Sequence, residues 1–533
     1  MITRGRTIAA FALALIGAST LARLGAIGPP PARSNGSPVT GLAGGPLDRV
    51  PPGPMDLSRQ DRGPRFEPIQ PEVFAEGGAF ANAWADVDLD GDLDLFVGFG
   101  TTPSRLYLND GGRFTDNGRE WALGDPRPVR AAAWGDFDAD GDADLLIGAA
   151  PGGPSVLSLL RNDRNRLRDI TDTVGLLVGD GAVRQLAWVD VDADEDLDLF
   201  VAFRDRANAL FRNDAGKFVD VAPEAGLADT RRSVGAIWLD YDNDGDLDLV
   251  VANMDGDANG LFRNDAGKFT DVADAAGIAW GGRAPRQGTN GSVRVCAADV
   301  NVDGRLDLIF ANYGTNGLFL GREGGKFEDA GKAWGLSTDG RHDTCIAGDI
   351  DNDGREDLYI NGTVTGGISY RDYLWRNGGA AFTDATPPNI LAFQASHGAQ
   401  FADYDNDGDL DLAISGSRAD ATHSLLRNML PEAAARRSVT VRVVNGAGQA
   451  TRAGAVVRVY AAGTRRLLAT RLVDSGSGYN SQNDMPVHVG LATLAAVDVE
   501  VSWPAAGKIA TATARAVDPQ RTRAVTVTPT VLK

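Results

Sequence analysis

Short apolar runs recur along the chain in pairs, and each pair is split by a stretch of alternating aspartates. The fourth copy shows the arrangement. GAIWLD is an apolar strand that ends in the polar stretch, and LDLVVAN leaves it as a second strand rich in Leu and Val. GLFRN follows as a third strand, the residues NDAGK turn, and FTDVA is a fourth. Asn or Asp followed by Gly between short apolar runs is hairpin chemistry. No sustained helical period interrupts the pattern, apart from single turns at stretches such as Ala222 to Ala225.

The polar stretches begin at Asp86, Asp136, Asp190, Asp240, Asp299, Asp349 and Asp403, separated by 50, 54, 50, 59, 50 and 54 residues. A fixed period of this size means one supersecondary unit copied along the chain, and four short antiparallel strands per unit make a propeller blade. Closure leaves its own mark. Copies one to six carry a fourth-strand signature: Phe114-Thr-Asp, Leu167-Arg-Asp, Phe218-Val-Asp, Phe269-Thr-Asp, Phe327-Glu-Asp and Phe382-Thr-Asp. The seventh copy stops at Leu425-Leu-Arg-Asn, and the missing strand stands before the first copy as Arg65-Phe66-Glu67-Pro68. An N-terminal strand that completes the last blade would close the ring and remove the exposed sheet edges. The expected fold is all-β, a seven-bladed propeller over residues 65–430. After it the aspartate loops give way to alternating Val-rich runs, VTVRVV, AVVRVYAA, VDVEVSW and AVTVTP, which predict a small antiparallel β-domain over residues 437–533.

The aspartate stretches are the candidate chemistry. In the first, Asp86, Asp88 and Asp90 hold positions 1, 3 and 5, Gly91 permits a sharp turn, and Asp92 and Asp94 hold positions 7 and 9. The same five positions are Asp136, Asp138, Asp140, Asp142 and Asp144 in the second copy, and Asp190, Asp192, Asp194, Asp196 and Asp198 in the third. They are Asp240, Asp242, Asp244, Asp246 and Asp248 in the fourth, and Asp299, Asn301, Asp303, Arg305 and Asp307 in the fifth. The sixth has Asp349, Asp351, Asp353, Arg355 and Asp357, and the seventh Asp403, Asp405, Asp407, Asp409 and Asp411. Carboxylates on alternate positions, folded back by a glycine, form an oxygen cage for a hard cation. Calcium takes roughly six to eight oxygens at about 2.3–2.6 Å, whereas magnesium keeps more waters, so a ligand-dense loop points to Ca2+. Side chains would come from positions 1, 3, 5 and 9 and a main-chain carbonyl from position 7, which is why Arg305 and Arg355 are tolerated there.

Up to seven calcium sites are expected. The third and fifth are the weakest, because Glu195 replaces the turn glycine and Asn301 replaces a carboxylate. An EF-hand is excluded, since its loop needs a bidentate Glu at position 12 and flanking helices. Position 12 here is Val97, Ile147, Val201, Val251, Phe310, Ile360 and Ile414, all within β-rich runs.

Charge agrees with this reading. The chain has 72 acidic and 52 basic side chains, a net of −20, and nearly half of the acids sit in the seven loops. Seven divalent ions would bring −20 to −6. Such a surface repels nucleic acid, and no basic stripe is present. Arg4 and Arg6 precede an apolar run at residues 8–17 and small residues at 19–22, which reads as an export signal over residues 1–27 or, uncleaved, as a membrane anchor. Residues 28–64, rich in Pro, Gly and Ser, read as a flexible linker. The expected location is secreted, cell-surface or periplasmic.

Cys296 and Cys345 lie at similar points of adjacent repeats. An exported protein could join them as a disulfide, and two buried free thiols are the alternative.

The loops resemble FG-GAP/VCBS repeats, the calcium-loop blades of integrin α-chain propellers and of many bacterial secreted proteins. The segment DSGSGYNSQNDMPVHVGL at residues 474–491, followed by VEVSWP, is similar to the ASPIC/UnbV domain. That order of parts resembles the cartilage acidic protein-like family. The resemblance implies calcium at the loop positions and a propeller, and implies little about activity.

Catalytic spacing is missing. His342, His397, His423 and His488 form no H-E-x-x-H pair, and no G-x-S-x-G elbow occurs. His342 and His397 fall near the starts of innermost strands and could face the channel on the rim away from calcium; ordinary strand-end histidines are the plain alternative. Tyr479, Asn480, Gln482 and Asp484 could present a polar, sugar-sized recognition loop, or a structural turn buried against the propeller. The leading expectation is an exported calcium-binding module that engages an extracellular protein or glycan. A carbohydrate lyase or hydrolase using the channel, and a structural matrix component, are the alternatives.

Overall fold

The computed structural model describes residues 64–123, 127–164, 166–283, 290–393, 395–418, 423–450 and 452–528. The expected export signal or anchor, and the linker apart from residue 64, lie outside the described residues. Among the described residues no helix is long and apolar enough to cross a membrane.

The repeats are almost entirely β. Each folds as antiparallel strands hydrogen-bonded in sequence order. In the fourth these are Ser233–Leu239, Asp248–Asn253, Gly260–Asn264 and Phe269–Asp271, and the helical turn foreseen near residue 222 is present at Ala222–Ala225.

The innermost strands are Ala79–Ala85, Val129–Gly135, Val183–Val189, Ser233–Leu239, Gly291–Ala298, Asp339–Gly348 and Ser396–Ala402. Each packs beside the next and the last beside the first, a closed, propeller-like circuit. Every one carries a register shift before its second half, which bends the strand around the axis. Phe66–Pro68 pairs antiparallel with Ser424–Asn428, Phe66 opposite Asn428, so the strand displaced to the N-terminus covers the edge that the seventh repeat leaves open. The fifth and sixth sheets join where Asp307–Thr315 outruns its blade and pairs with Asp339–Gly348.

Trp84, Trp134, Trp188 and Trp238, each two residues before a loop, are fully buried between neighbouring sheets. Burial of such large faces supplies much of the blade-to-blade adhesion.

The C-terminal segments form two sheets. Val456–Ala461, Leu467–Leu472, Val497–Pro504 and Ile509–Val517 make one. Ser438–Val443, Val487–Gly490 and Ala524–Val527 make the other, in which Thr440 lies opposite Ala524 in a parallel rather than antiparallel pairing. Their apolar faces share one core with the third and fourth blades, in which Val441, Val457 and Trp503 meet Phe200, Trp238 and Leu247.

Candidate metal centres

Each loop folds on its own aspartates. Asp86 Oδ1 and Oδ2 accept the backbone N–H groups of Asp90 and Gly91, both at 3.1 Å. The same pair of bonds recurs at Asp136, Asp240, Asp299 and Asp349. The position-5 carboxylate accepts the N–H of position 7, as Asp90 does from Asp92 at 2.9 Å.

Two backbone sites per loop are left-handed. Position 6 is Gly91, Gly141, Gly245, Gly304, Gly354 and Gly408 with φ from 88 to 102, and Glu195 takes the same conformation in the third loop with φ 78. Position 4 is left-handed too, at Leu89, Ala139, Ala193, Asn243, Val302, Asn352 and Asn406 with φ from 53 to 62. Sequence reasoning missed that second bend; the asparagines at three of the seven positions were its signal, because Asn tolerates this region.

The position-9 aspartates do double duty. Asp94 Oδ2 accepts from Val87 N at 2.9 Å and Oδ1 from Asn109 N at 2.8 Å, which ties the loop to the end of the third strand. The equivalent pair of bonds forms at Asp144, Asp198, Asp248, Asp307, Asp357 and Asp411. The asparagine closing the third strand then reaches the preceding blade: Asn162 Nδ2 donates to Val87 O, Asn213 to Phe137 O and Asn428 to Ile350 O. These asparagines were also missed, although the recurring R-N at the third-strand end announced them.

The carboxylates of positions 1, 3 and 5, or 1, 3 and 9, converge. One ligand oxygen from each of Asp86, Asp88 and Asp90 lies within 4.8 Å of the others, and so for Asp136, Asp138 and Asp144. The same holds for Asp190, Asp192 and Asp194, for Asp240, Asp242 and Asp248, and for Asp349, Asp351 and Asp353. Position-7 side chains at Asp92, Asp246 and Arg355 are already bonded, whereas buried Asp409 has both carboxylate oxygens without a hydrogen-bond partner among the described residues. Asp92 accepts from Gly111 N and Asn406 Nδ2, Asp246 from Ala266 N and Gly507 N, and Arg355 binds Asp353 and Asn377 O. Crowding and burial raise the affinity of these groups for positive charge. Burial, then the neighbouring aspartates, push Asp136 up to about 6 and Asp240 and Asp403 up to about 7, and burial pushes Asp94 up to about 8. Buried oxygens Asp242 Oδ1, Asp351 Oδ1 and Asp403 Oδ1 have no hydrogen-bond partner among the described residues. A carboxylate-only donor set with orphaned buried oxygens fits a hard divalent cation.

The C-terminal sheets sit on this rim and reach every loop from the second to the seventh. Gln449 Nε2 donates to Ala139 O, Gly507 N to Asp246 Oδ1, Arg458 to Gly304 O, Arg471 to Gly354 O and Arg523 to Asp407 O. At the third loop, buried Arg452 lies 3.3 Å from Asp190 Oδ2 and 2.9 Å from Glu195 Oε1. At the sixth, buried Arg471 lies 3.6 Å from Asp349 Oδ2 and 3.7 Å from Glu356 Oε2. Over the first, second and seventh loops a cavity of about 500 Å3 remains, lined by Asp86, Asp136 and Asp403 below and Arg442, Arg471 and Asp484 above.

Of the two readings of this segment, residues 474–484 form the structural turn buried against the propeller and not the recognition loop. The segment fills the propeller channel, and inner strands from around the circuit bond to it. Trp84 N donates to Asn483 Oδ1, Ala132 N to Asn480 O, Trp188 N to Gln482 Oε1, Trp238 N to Ser475 Oγ and Gln400 Nε2 to Ser477 Oγ. Tyr479, Asn480 and Gln482 are buried. The inner strands offer unpaired N–H groups toward the axis, and a polar plug satisfies them.

His342 is buried against Asn316 and Tyr373, pulled down to about 4 by desolvation, and does not face the channel. His397 does line it, beside Asp343. Cys296 and Cys345 are buried free thiols that touch within one apolar cluster.

Known proteins share these parts. A family model described as FG-GAP-like repeat matches residues 86–147, 190–251, 240–310, 299–360 and 364–414, more than half of the chain, and one described as ASPIC and UnbV matches 446–527. Cartilage acidic protein 1 of Mus musculus is 30% identical over 303 residues, 54% of this chain and 44% of that protein. Its Homo sapiens counterpart is 30% identical over 304 residues, 54% and 43%. The chain thus spans less than half the length of these relatives. Among solved structures, BBS1N in complex with ARL6DN matches with TM-score 0.41 and 10% identity over 69% of this chain and 97% of that one. Bacillus licheniformis rhamnogalacturonan lyase PL11 matches with TM-score 0.36 and 14% identity over 68% and 75%; likeness at this level carries no functional argument. By its repeats and the segment that follows them, the chain belongs to the FG-GAP-like repeat family, joined to an ASPIC and UnbV region and related to cartilage acidic protein 1.

Proposed function

We propose that the chain is an exported calcium-binding propeller that serves as an interaction module for an extracellular protein or glycan. The observation that carries the calcium half is the convergence of carboxylate oxygens within 4.8 Å, with buried oxygens left unpartnered. Side chains at positions 1, 3, 5 and 9 and the carbonyl at position 7 would hold each ion, which would neutralise the crowded loop and stiffen the turn between two strands.

Occupancy is uneven in this reading. The first, second, fourth and seventh loops bind best. Arg452 and Arg471 supply positive charge to the third and sixth, and those loops, with the Asn301-bearing fifth, take an ion last. A cation at about 100 times its dissociation constant adds roughly 2.7 kcal/mol of stability, so the ions act mainly on the fold.

The relation to cartilage acidic protein 1 supports an extracellular setting. A channel filled by residues 474–484 weighs against a lyase or hydrolase working inside it and favours binding at a surface. Calorimetric titration of the metal-free chain with calcium, paired with thermal unfolding in chelator, tests the proposal. Several bound ions and a raised melting temperature are expected; no heat and no shift would remove it.

A further inference from the structure

The first loop stands apart from the other six, each of which meets an arginine or the C-terminal chain. In the second, Arg161 lies 3.9 Å from Asp138 and Arg164 3.3 Å from Asp142. Arg452 serves the third, and Arg305 lies 3.2 Å from Asp303 in the fifth. Arg376 pairs with Asp351 in the sixth, and Arg427 is 2.9 Å from both Asp405 and Asp407 in the seventh. The fourth is covered by the C-terminal turn, where Gly507 N donates to Gly245 O at 3.1 Å. The first loop has neither. Its hydrogen bonds come from the repeats themselves, and no ion pair reaches it among the described residues. The strand-end position that is Arg161, Arg212, Arg376 and Arg427 in other repeats is Leu108 in this one.

This bare loop also opens on the cavity of about 500 Å3 between the rim and the C-terminal sheets, to which it contributes Asp86, Leu89, Gly91 and Leu93. Solvent reaches the cavity: Leu89 is 57% exposed and the Arg442 side chain 36%. Its volume falls in the range of small-molecule pockets, about 300–1,000 Å3. Part of the wall is apolar, from Leu89, Leu93, Phe401, Met485 and Val487. Arg471, with a side chain 5% exposed, also lines it, and its Nε has no partner among the described residues.

The sign of the chamber's charge depends on the loops. Its lining holds six carboxylates against Arg442 and Arg471, a net of −4. Divalent ions held by the first, second and seventh loops would add six charges and bring −4 to +2. A chamber that repels anions would then attract them. Positions 1, 3, 5 and 9 and the carbonyl of position 7 give five donor groups, whereas calcium takes roughly six to eight oxygens, which leaves room for oxygen from outside the loop. At the other loops arginine competes for the same carboxylates, or the C-terminal turn covers the opening.

We propose that the first loop is a ligand-accepting cation site and that the chamber beside it binds a small organic carboxylate. The ligand's carboxylate completes the donor set begun by Asp86, Asp88 and Asp90, and its apolar body lies on Leu89, Leu93, Phe401 and Met485. Carboxylate oxygens are donors that a hard cation takes, and hydrocarbon on the body gains from the apolar wall. The inference rests on the cation reading proposed above and deepens it, by naming a ligand class and the loop that meets it.

Calorimetric titration of the full chain with phenylacetate tests it, in saturating calcium and in chelator, beside the uncharged isostere phenylacetamide. Phenylacetate binds in calcium. Chelator, or the amide in place of the acid, weakens binding about ten-fold or more, the loss expected when one charged contact goes. D90N, in the first loop, loses phenylacetate by a similar factor. D244N, at the same position of the fourth loop, which does not line the chamber, keeps it. Thermal unfolding in calcium checks that both variants fold. If D90N does not fold, L89D decides: a φ of 62 suits aspartate at this exposed position, and the added charge weakens phenylacetate by about ten-fold. Binding that survives chelator, equal binding of phenylacetamide, equal losses in D90N and D244N, or retention in D90N or L89D would overturn the proposal. Calcium binding without phenylacetate binding would sink this inference alone, and no calcium binding would remove the cation reading and this inference with it.

Discussion

Replacing Arg452 with methionine keeps most of the side-chain volume and removes the positive charge from the third loop. The Arg452 side chain is 1% exposed and Asp190 is 0% exposed, so the variant strands a buried carboxylate beside Asp192 and Asp194. Removing one partner of a buried pair costs about 3–5 kcal/mol. Protonation of Asp190 caps that cost. Burial already pushes its carboxyl up to about 7 against the lowering effect of Arg452, and the variant moves it higher still. A carboxylate whose folded value lies above its unfolded value contributes stability below the unfolded value and loses it as pH rises through the folded one. Each pH unit above the wild-type value therefore adds up to about 1.4 kcal/mol to the loss in the variant. R452M should be destabilised at pH 6 and by up to about 1.4 kcal/mol more at pH 8, read by denaturant unfolding in chelator. D190N/R452M, with neither charge, should return to within about 1 kcal/mol of the parent, and calcium should rescue R452M more than the parent as the ion replaces the guanidinium. A loss under about 1 kcal/mol at pH 8, or one that shrinks as pH rises, would refute the reasoning.

In chelator, thermal stability of the whole chain should fall as pH rises from 5 to 8, because Asp136, Asp240 and Asp403 titrate near 6 to 7 in the fold and near 3.8 unfolded; saturating calcium should flatten that slope, and a slope unchanged by calcium would count against ion binding at these loops. Q482A should cost about 2–3 kcal/mol, since the Gln482 amide accepts from Trp188 N and donates to Trp188 O in the filled channel; a loss below about 0.5 kcal/mol in urea titration would mean that the plug is loosely held. N213A should cost about 1–3 kcal/mol by breaking the tie to Phe137 O across two blades, measured the same way. Thiol titration should count no reactive cysteine in the native chain and two after denaturation, as Cys296 and Cys345 are buried and unbonded.

Much of the architecture was written locally. Strand limits around each loop, the turn glycines at position 6 and the fourth-strand signature all follow from chemistry within one repeat, and the seventh repeat's missing strand pointed to Phe66. Carboxylate convergence was equally local, since alternating positions on one bent loop can bring three carboxylates together without help from the rest of the chain. What the sequence could not disclose lies far apart in it. Asn483 and Trp84 are 399 positions apart, and Arg452 and Asp190 are 262. No periodicity links an arginine beyond the repeats to the loop whose glycine is missing. Nor could composition tell a polar recognition loop from a plug, because both need small residues and amide side chains; only a closed circuit of inner strands, with N–H groups turned to one axis, makes the plug the lower-energy place for residues 474–484.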